Sequence, residues 1–296
     1  MREKLKLHIQ SRLDKYVYRS KHSGRVIINS DTISQKQEMH ERRGADIVKC
    51  SATGRILSMM KEGRDEAAIY EIHIRYLVRQ KEELYVEEEV NDRYVLWSGD
   101  EVVQDYSINE EGTSEYGCSI PPIEEEVEPN RNYRFTYNRM EAVRYAEQWW
   151  NTFNPKYKKF DVDCTNYISQ CLHAGGAPMV GYPNKSSGWW MRNNSWSYTW
   201  TVAHALRWYL PSAKSGIKGK EVSRAEQLKP GDVICYDFQG DGRFDHNTIV
   251  VAKDPNGEPL VNAHTYNSRM RYWKYEDSTA YTPNIKYKFF HILDRK

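Results

Sequence analysis

In the run Asp161-Val162-Asp163-Cys164-Thr165-Asn166-Tyr167-Ile168-Ser169-Gln170-Cys171-Leu172-His173-Ala174-Gly175-Gly176, Cys164 is the residue whose type and position suit covalent chemistry. Tyr167, Ile168, Cys171 and Leu172 recur at i, i+1, i+4 and i+5, which predicts a helix that buries one stripe and stops at Gly175-Gly176. Cys171 falls on that stripe and reads as core. Cys164 opens the helix, where unpaired N–H groups and the positive end of the macrodipole favour a thiolate. Those N–H groups could also hold the oxyanion formed when sulfur attacks an amide carbonyl.

A thiol nucleophile needs a base within hydrogen-bond reach, and histidine suits that task near neutral pH. Leu228-Lys229-Pro230-Gly231-Asp232 turns into a β-branched run through Cys235, a cysteine that reads as packed. Asp245-His246-Asn247-Thr248-Ile249-Val250-Val251 places His246 at the entry of another strand. After the Pro255-Asn256-Gly257 turn, Leu260–Thr265 reads as the next strand, with Asn262 and His264 on one face. His246 is the expected base, and either His264 or Asn262 would hold its ring, as the third member of a triad does. The same Cys164, His246 and His264 could instead ligate zinc, but without a CxxC pair a structural metal site is the weaker reading.

Around these lie candidates for contact with substrate. Asp163 reads as a helix cap or turn residue that could reach the site, and Asn166 and Gln170 lie on the polar side of the helix. Trp189, Trp190 and Trp196 sit in a stretch without helical period, expected as a long loop whose indoles wall a cleft. Trp208, in an apparent Val202–Leu210 helix, is expected in the core, and His204 beside it reads as packing. The Asp237–Asp245 loop has fragments of a calcium pattern but no twelfth-position glutamate, so it reads as a turn. No cofactor or metal is expected.

These elements need a scaffold, and the composition allows one of two parts. At 296 residues the chain can form one large domain or two ordinary ones. A net charge of +2 is too balanced for nucleic acid to be the main partner, and no apolar run approaches a membrane span. The N-terminus shows no apolar core of a signal peptide, so a cytoplasmic location is expected. Residues 1–108 read as an N-terminal α+β accessory domain, a helix with Leu5, Ile9, Leu13 and Tyr16 on one face followed by a strand meander. Asn91-Asp92 is expected as one of its turns and Ser98-Gly99-Asp100 as another. His73 is an ordinary strand-face residue. Residues 109–136 are acidic, Pro-bearing and aperiodic, a linker. Residues 137–296 open with a helix capped by Asn138, whose buried side takes Met140, Val143, Ala146 and Trp149 or Trp150.

Tyr137-Asn138-Arg139, the Asp163–Leu172 run, Ala174-Gly175-Gly176, Pro230-Gly231-Asp232-Val233 and the Asp245-His246 strand resemble the bacterial "putative amidase domain" family from about Tyr137 to His291. That family is similar to the papain-like NlpC-type and CHAP cell-wall amidases and peptidases. The resemblance implies an α+β, papain-like cysteine peptidase fold, a helix bundle packed on an antiparallel sheet, with Cys164 as nucleophile and His246 as base. It favours His264 as third residue, while analogy with NlpC-type enzymes favours Asn262. It further implies hydrolysis of amide bonds in peptidoglycan, a bacterial cell-wall substrate that a cytoplasmic enzyme would reach through lysis or a non-classical route. The alternative is a non-catalytic protein that kept the fold and binds wall peptide or glycan.

Overall fold

The computed structural model describes residues 1–17, 31–108 and 134–295. They form two compact units: one takes the described residues up to 108 together with Lys274–Tyr281, the other the residues from 134 to Trp273 and from Thr282 onward. Most of the stretch expected as a linker, residues 109–133, lies outside the described residues. No helix among the described residues is long and apolar enough to cross a membrane.

The first unit opens with α1 (Arg2–Val17) and α2 (Asp31–Arg42) and continues as an antiparallel meander of β1 (Ala45–Glu62), β2 (Asp65–Gln80), β3 (Glu83–Ser98) and β4 (Glu101–Ser107). Leu5, Leu13 and Tyr16 of α1 meet Tyr70, Ile72, Ile74 and Tyr76 of β2 in one core, as the two periodicities predict. The expected turn at Asn91-Asp92 is absent. Both residues pair within β3, opposite Ile72 and Glu71, and the β2–β3 ladder runs unbroken from Asp65↔Ser98 to Gln80↔Glu83. The chain reverses instead at Lys81-Glu82, where Lys81 takes a φ of 52°. Cross-strand pairing along a long hairpin outweighs the weak strand preference of one Asn-Asp pair.

This unit also buries charge. Asp105 accepts from His8 Nε2 (3.1 Å), Arg12 Nη1 (3.1 Å) and Arg93 Nε and Nη2 (3.0 and 2.6 Å). Lys36, 2% exposed, donates to Glu87 and, at 2.8 Å, to Asp277 of the Lys274–Tyr281 segment. Burial alone would raise the Glu87 carboxyl, but Lys36 and His40 outweigh it and hold the group at about 2. A carboxyl depressed on folding contributes stability that is complete above its unfolded value and lost as pH falls through the folded one. Thermal unfolding followed between pH 6 and 2 is therefore expected to weaken from about pH 4 downward. Lys36→Met, which takes the shared ammonium from two buried carboxylates, is expected to cost about 3–5 kcal/mol near neutral pH.

The second unit contains α3 (Arg139–Trp149), α4 (Cys164–Ala174), a hairpin of β5 (Met191–Arg192) and β6 (Ser195–Trp196), α5 (Tyr198–Thr201) and α6 (Ala203–Ser212). It continues with β7 (Gly219–Val222), β8 (Val233–Asp237), β9 (His246–Lys253), β10 (Pro259–Ala263), β11 (Asn267–Tyr272) and β12 (Lys286–Ile292). These last strands form a sheet ordered β11-β10-β9-β8-β12-β7, its neighbours antiparallel. The architecture is α+β, with helices α3, α4 and α6 packed through Ala142, Ala146, Ile168, Leu172, Leu206 and Leu210 on the face carrying Val233, Cys235, Ile249 and Val251. Two expected core residues fall outside it. Met140 is 81% exposed because α3 buries the 142/146 stripe. Trp208 is 50% exposed because α6 buries 205, 206, 209 and 210, and it carries the Arg207 guanidinium 3.7 Å over its ring.

Candidate active site

Helix α4 begins where the sequence places it, and Gly175 and Gly176 close it by donating to Cys171 O and His173 O. Its N-cap, Asp163, is 2% exposed and makes no side-chain cap bond to the first turn. The carboxylate turns away from the helix. Oδ2 meets His264 Nδ1 at 2.9 Å, and Oδ1 accepts from Asn166 Nδ2 (2.9 Å) and the Phe160 N–H (3.1 Å). Three donors satisfy a buried anion that would otherwise be costly. The first-turn N–H groups are thereby left without a capping side chain.

His264 lies over this turn. Its ring stacks on Tyr167 with centroids 4.0 Å apart and planes 11° from parallel, and Nε2 meets Trp149 O at 2.6 Å. Both partners are acceptors, so Nδ1 and Nε2 each face an oxygen. The following residue, Thr265, takes a φ of 81°, an uncommon conformation for a β-branched side chain, and its hydroxyl accepts the Asp163 N–H at 3.2 Å. The chain thus clamps His264 and Asp163 together through side chain and backbone at once.

Cys164 is buried, 2% exposed, with its sulfur 3.7 Å from Thr165 Oγ1. Burial pushes the thiol up, and the Asp163 charge adds to that; the Thr165 hydroxyl and the N–H groups of Asn247 and Thr165 pull the other way and do not prevail. The sulfur is therefore a thiol at rest, where the helix start alone predicts a thiolate. The N–H groups of Asn247 and Thr165 are donors that a negative atom beside the sulfur would meet.

His246 differs most from expectation. Asn247, next along β9, points at α4 and donates to Thr165 Oγ1 at 3.0 Å, so period-two alternation turns His246 to the opposite face. There its ring lies 5.6 Å from Tyr236 and 6.1 Å from Phe238, and burial, with Arg271 nearby, lowers it to about 3. Asn262 pairs with Ile249, not His246, in register and faces α3, donating to Glu147 Oε1 (2.8 Å) and accepting from the Met270 N–H (2.9 Å). The structure joins Asp163 to His264, and Cys164 is the next residue along the chain from Asp163. The fold sets His246 on the other face of the sheet and spends Asn262 on β11, so Cys164, His246 and His264 are not gathered as a zinc set.

The substrate-contact candidates divide likewise. Trp189 and Trp190, at 0% and 1% exposure, are core, their indole N–H groups donating to Ser169 Oγ and to Asn184 O and Ser187 O. The expected loop is ordered by the β5–β6 hairpin, turned at Asn193-Asn194, and by α5, which is why those indoles are enclosed. Asn166 is enclosed too: besides Asp163 it holds Lys158 O (3.0 Å) and accepts from Trp200 Nε1 (2.9 Å). Trp196 is half-buried and reaches the surface. Gln170 accepts from Tyr145 Oη at 2.6 Å. Asp237 accepts three turn N–H groups, from Gly240, Asp241 and Gly242, as a turn reading requires. Sequence reasoning weighed Asp163 as a cap and His264 as a third residue; what joins them is that Thr265, next to His264, accepts the Asp163 N–H.

The second unit is thus an α+β domain with a cysteine at a helix N-terminus, backed by an Asp–His pair and set against an antiparallel sheet. The chain belongs to the family described as "Putative amidase domain", which matches residues 136–290, just over half of it. It is 50% identical over 270 residues to "Uncharacterized protein YhbB" of Bacillus subtilis (strain 168), covering 88% of this chain and 86% of that protein. It is also 34% identical over 140 residues to "Uncharacterized protein YjcM" of the same organism, covering 44% of this chain and 31% of that protein. No solved structure matches the chain. The family's description points to an amide-directed hydrolase.

The burial of the cysteines sets an order of reactivity. Cys164 is expected to alkylate with iodoacetamide at least tenfold more slowly in the native protein than after denaturation at pH 8, gaining rate only above the ordinary thiol range. Cys171, held well above its usual value by burial, is expected to be slower still. Peptide mass spectrometry against time and pH reads both, and rapid native labelling of Cys164 at pH 6 would contradict the buried-thiol description.

Proposed function

We propose that this protein is a cysteine-dependent amide hydrolase of papain-like type, acting on the peptide amides of peptidoglycan. The observation that carries the reading is the uncapped first turn of α4, where Cys164 follows a buried carboxylate that holds His264. In this reading Cys164 is the nucleophile, His264 the base and Asp163 the carboxylate that orients it. With its one proton on Nδ1, donated to Asp163, neutral His264 frees Nε2 from Trp149 O and takes the Sγ proton there while sulfur bonds to the carbonyl carbon. The N–H groups of Thr165 and Asn247 receive the oxyanion. The C–N bond then breaks, His264 returns the proton to the leaving amine, and water, deprotonated by the same ring, releases the acyl group as an acid. Proton transfer within the attack step suits a sulfur that is un-ionised at rest.

A second reading, a wall-peptide or glycan receptor without turnover, is favoured by that same buried thiol and by the bond between His264 and Trp149 O. Purified peptidoglycan digested with wild-type protein, with the released fragments weighed, separates the two. Cys164→Ala is expected to abolish release, and His264→Gln to lower it by about 10²–10⁴-fold. His246→Gln is expected to stay within a few-fold of wild type. Full turnover by Cys164→Ala would overturn the nucleophile assignment. A large loss in His246→Gln alone would return the base to residue 246. Muropeptide binding without fragments would favour the receptor.

A further inference from the structure

Between Phe153 and the start of α4 the chain is sewn to the helix by Asn166 on Lys158 O and by Asp163 on the Phe160 N–H. Those bonds hold the segment that carries Lys158 and Lys159, and a third cation, Lys185, meets it at Trp196. Lys158 Nζ lies 4.8 Å from the Trp196 ring centroid, and Lys185 Nζ lies 5.6 Å from the same ring. Phe160, held by Asp163, sets its ring edge-on to Trp196 at 4.8 Å. On the other side Lys159 Nζ sits 4.2 Å over Phe153, whose ring meets His264 at 5.1 Å. Each of these lysines is exposed. None of them forms an ion pair among the described residues, and Asp161, the exposed carboxylate of the same loop, forms none either. Cation–π contacts at exposed sites are worth only about 0.5–1 kcal/mol, enough to orient an ammonium group but not to neutralise it.

We infer that Lys158 and Lys185, with Trp196 between them, form a subsite for an acidic peptide, taking a carboxylate close to the scissile amide and an apolar or sugar face on the indole. This rests on the hydrolase reading for its place beside the scissile bond, and it assigns the substrate's charge. A carboxylate near two ammonium groups gains about 1 kcal/mol from each even in water. An acidic residue is therefore expected to improve binding by about tenfold or more over its amide, less at high salt.

The test uses the full chain with Cys164→Ala, so that binding is read without cleavage. Fluorescence anisotropy gives Kd for two labelled, C-terminally amidated peptides, Ala-Glu-Ala-Ala and Ala-Gln-Ala-Ala, at low and high salt. The glutamate peptide is expected to bind about tenfold tighter at low salt. That ratio is expected to vanish with Lys158→Glu plus Lys185→Glu and to persist with Lys158→Arg plus Lys185→Arg. Circular dichroism of each variant confirms that these exposed changes leave the fold intact. Equal Kd values, or a ratio that survives charge reversal, would overturn the subsite. So would oligothymidylate binding as tightly as the glutamate peptide, which would make the patch a general polyanion surface. Wild-type cleavage of amides without an acid preference would defeat the subsite and leave the hydrolase. Acid-selective binding with no cleavage by wild type would do the reverse.

Discussion

One buried carboxylate organises the candidate site. Asp163 stands at the positive end of α4, where a negative charge is favourable, yet it caps nothing on that helix. Its acceptor capacity goes to His264, Asn166 and the Phe160 N–H, and each bond fixes a different element: the end of β10, the interior of α4 and the loop before it. With the carboxylate gone, three buried donors would lose their partner together. The same anion has a second effect, since its charge adds to burial, the main cause, in holding the neighbouring thiol up. The group that holds an imidazole beside the helix start also opposes a free thiolate there.

Much of this was legible in the sequence. The 3.6-residue period of Tyr167, Ile168, Cys171 and Leu172 placed α4 and both its ends, and Asn138 caps α3 through Glu141 N as its spacing predicted. The strands that carry His246 and Asn262 were also legible, because Pro-Gly-Asp and Pro-Asn-Gly bracket them. Facing was harder to read. The parity of a strand against its neighbours is set by where its first residue enters the sheet, and a one-residue difference sends His246 to one side and Asn247 to the other. Nothing local distinguishes those two outcomes.

The tryptophans show a similar limit. A cluster of indoles among Ser, Asn and Arg lacks period whether it walls a cleft or fills a core. The β5–β6 hairpin and α5 decide for the core at Trp189, Trp190 and Trp200, and every indole nitrogen there finds an oxygen. Trp208 is the converse: its type suggests the interior, but its position on α6 places it outside. In the first unit, alternation gave the strand of Tyr70, Ile72, Ile74 and Tyr76 correctly, while the Asn-Asp pair in β3 gave a turn that ladder pairing overrides.

The Lys274–Tyr281 segment has a consequence for how the molecule can be taken apart. It is encoded among the strands of the family domain, yet it is counted with the other unit, where Asp277 meets Lys36. A cut anywhere in residues 109–133 does not therefore yield two self-sufficient pieces. The C-terminal fragment keeps Asp277 without Lys36, and the N-terminal fragment keeps an ammonium that has lost one of its two closest anions. In sequence the boundary is crossed more than once, so inheritance of the family domain by recombination at a single junction would separate residues that fold as one body.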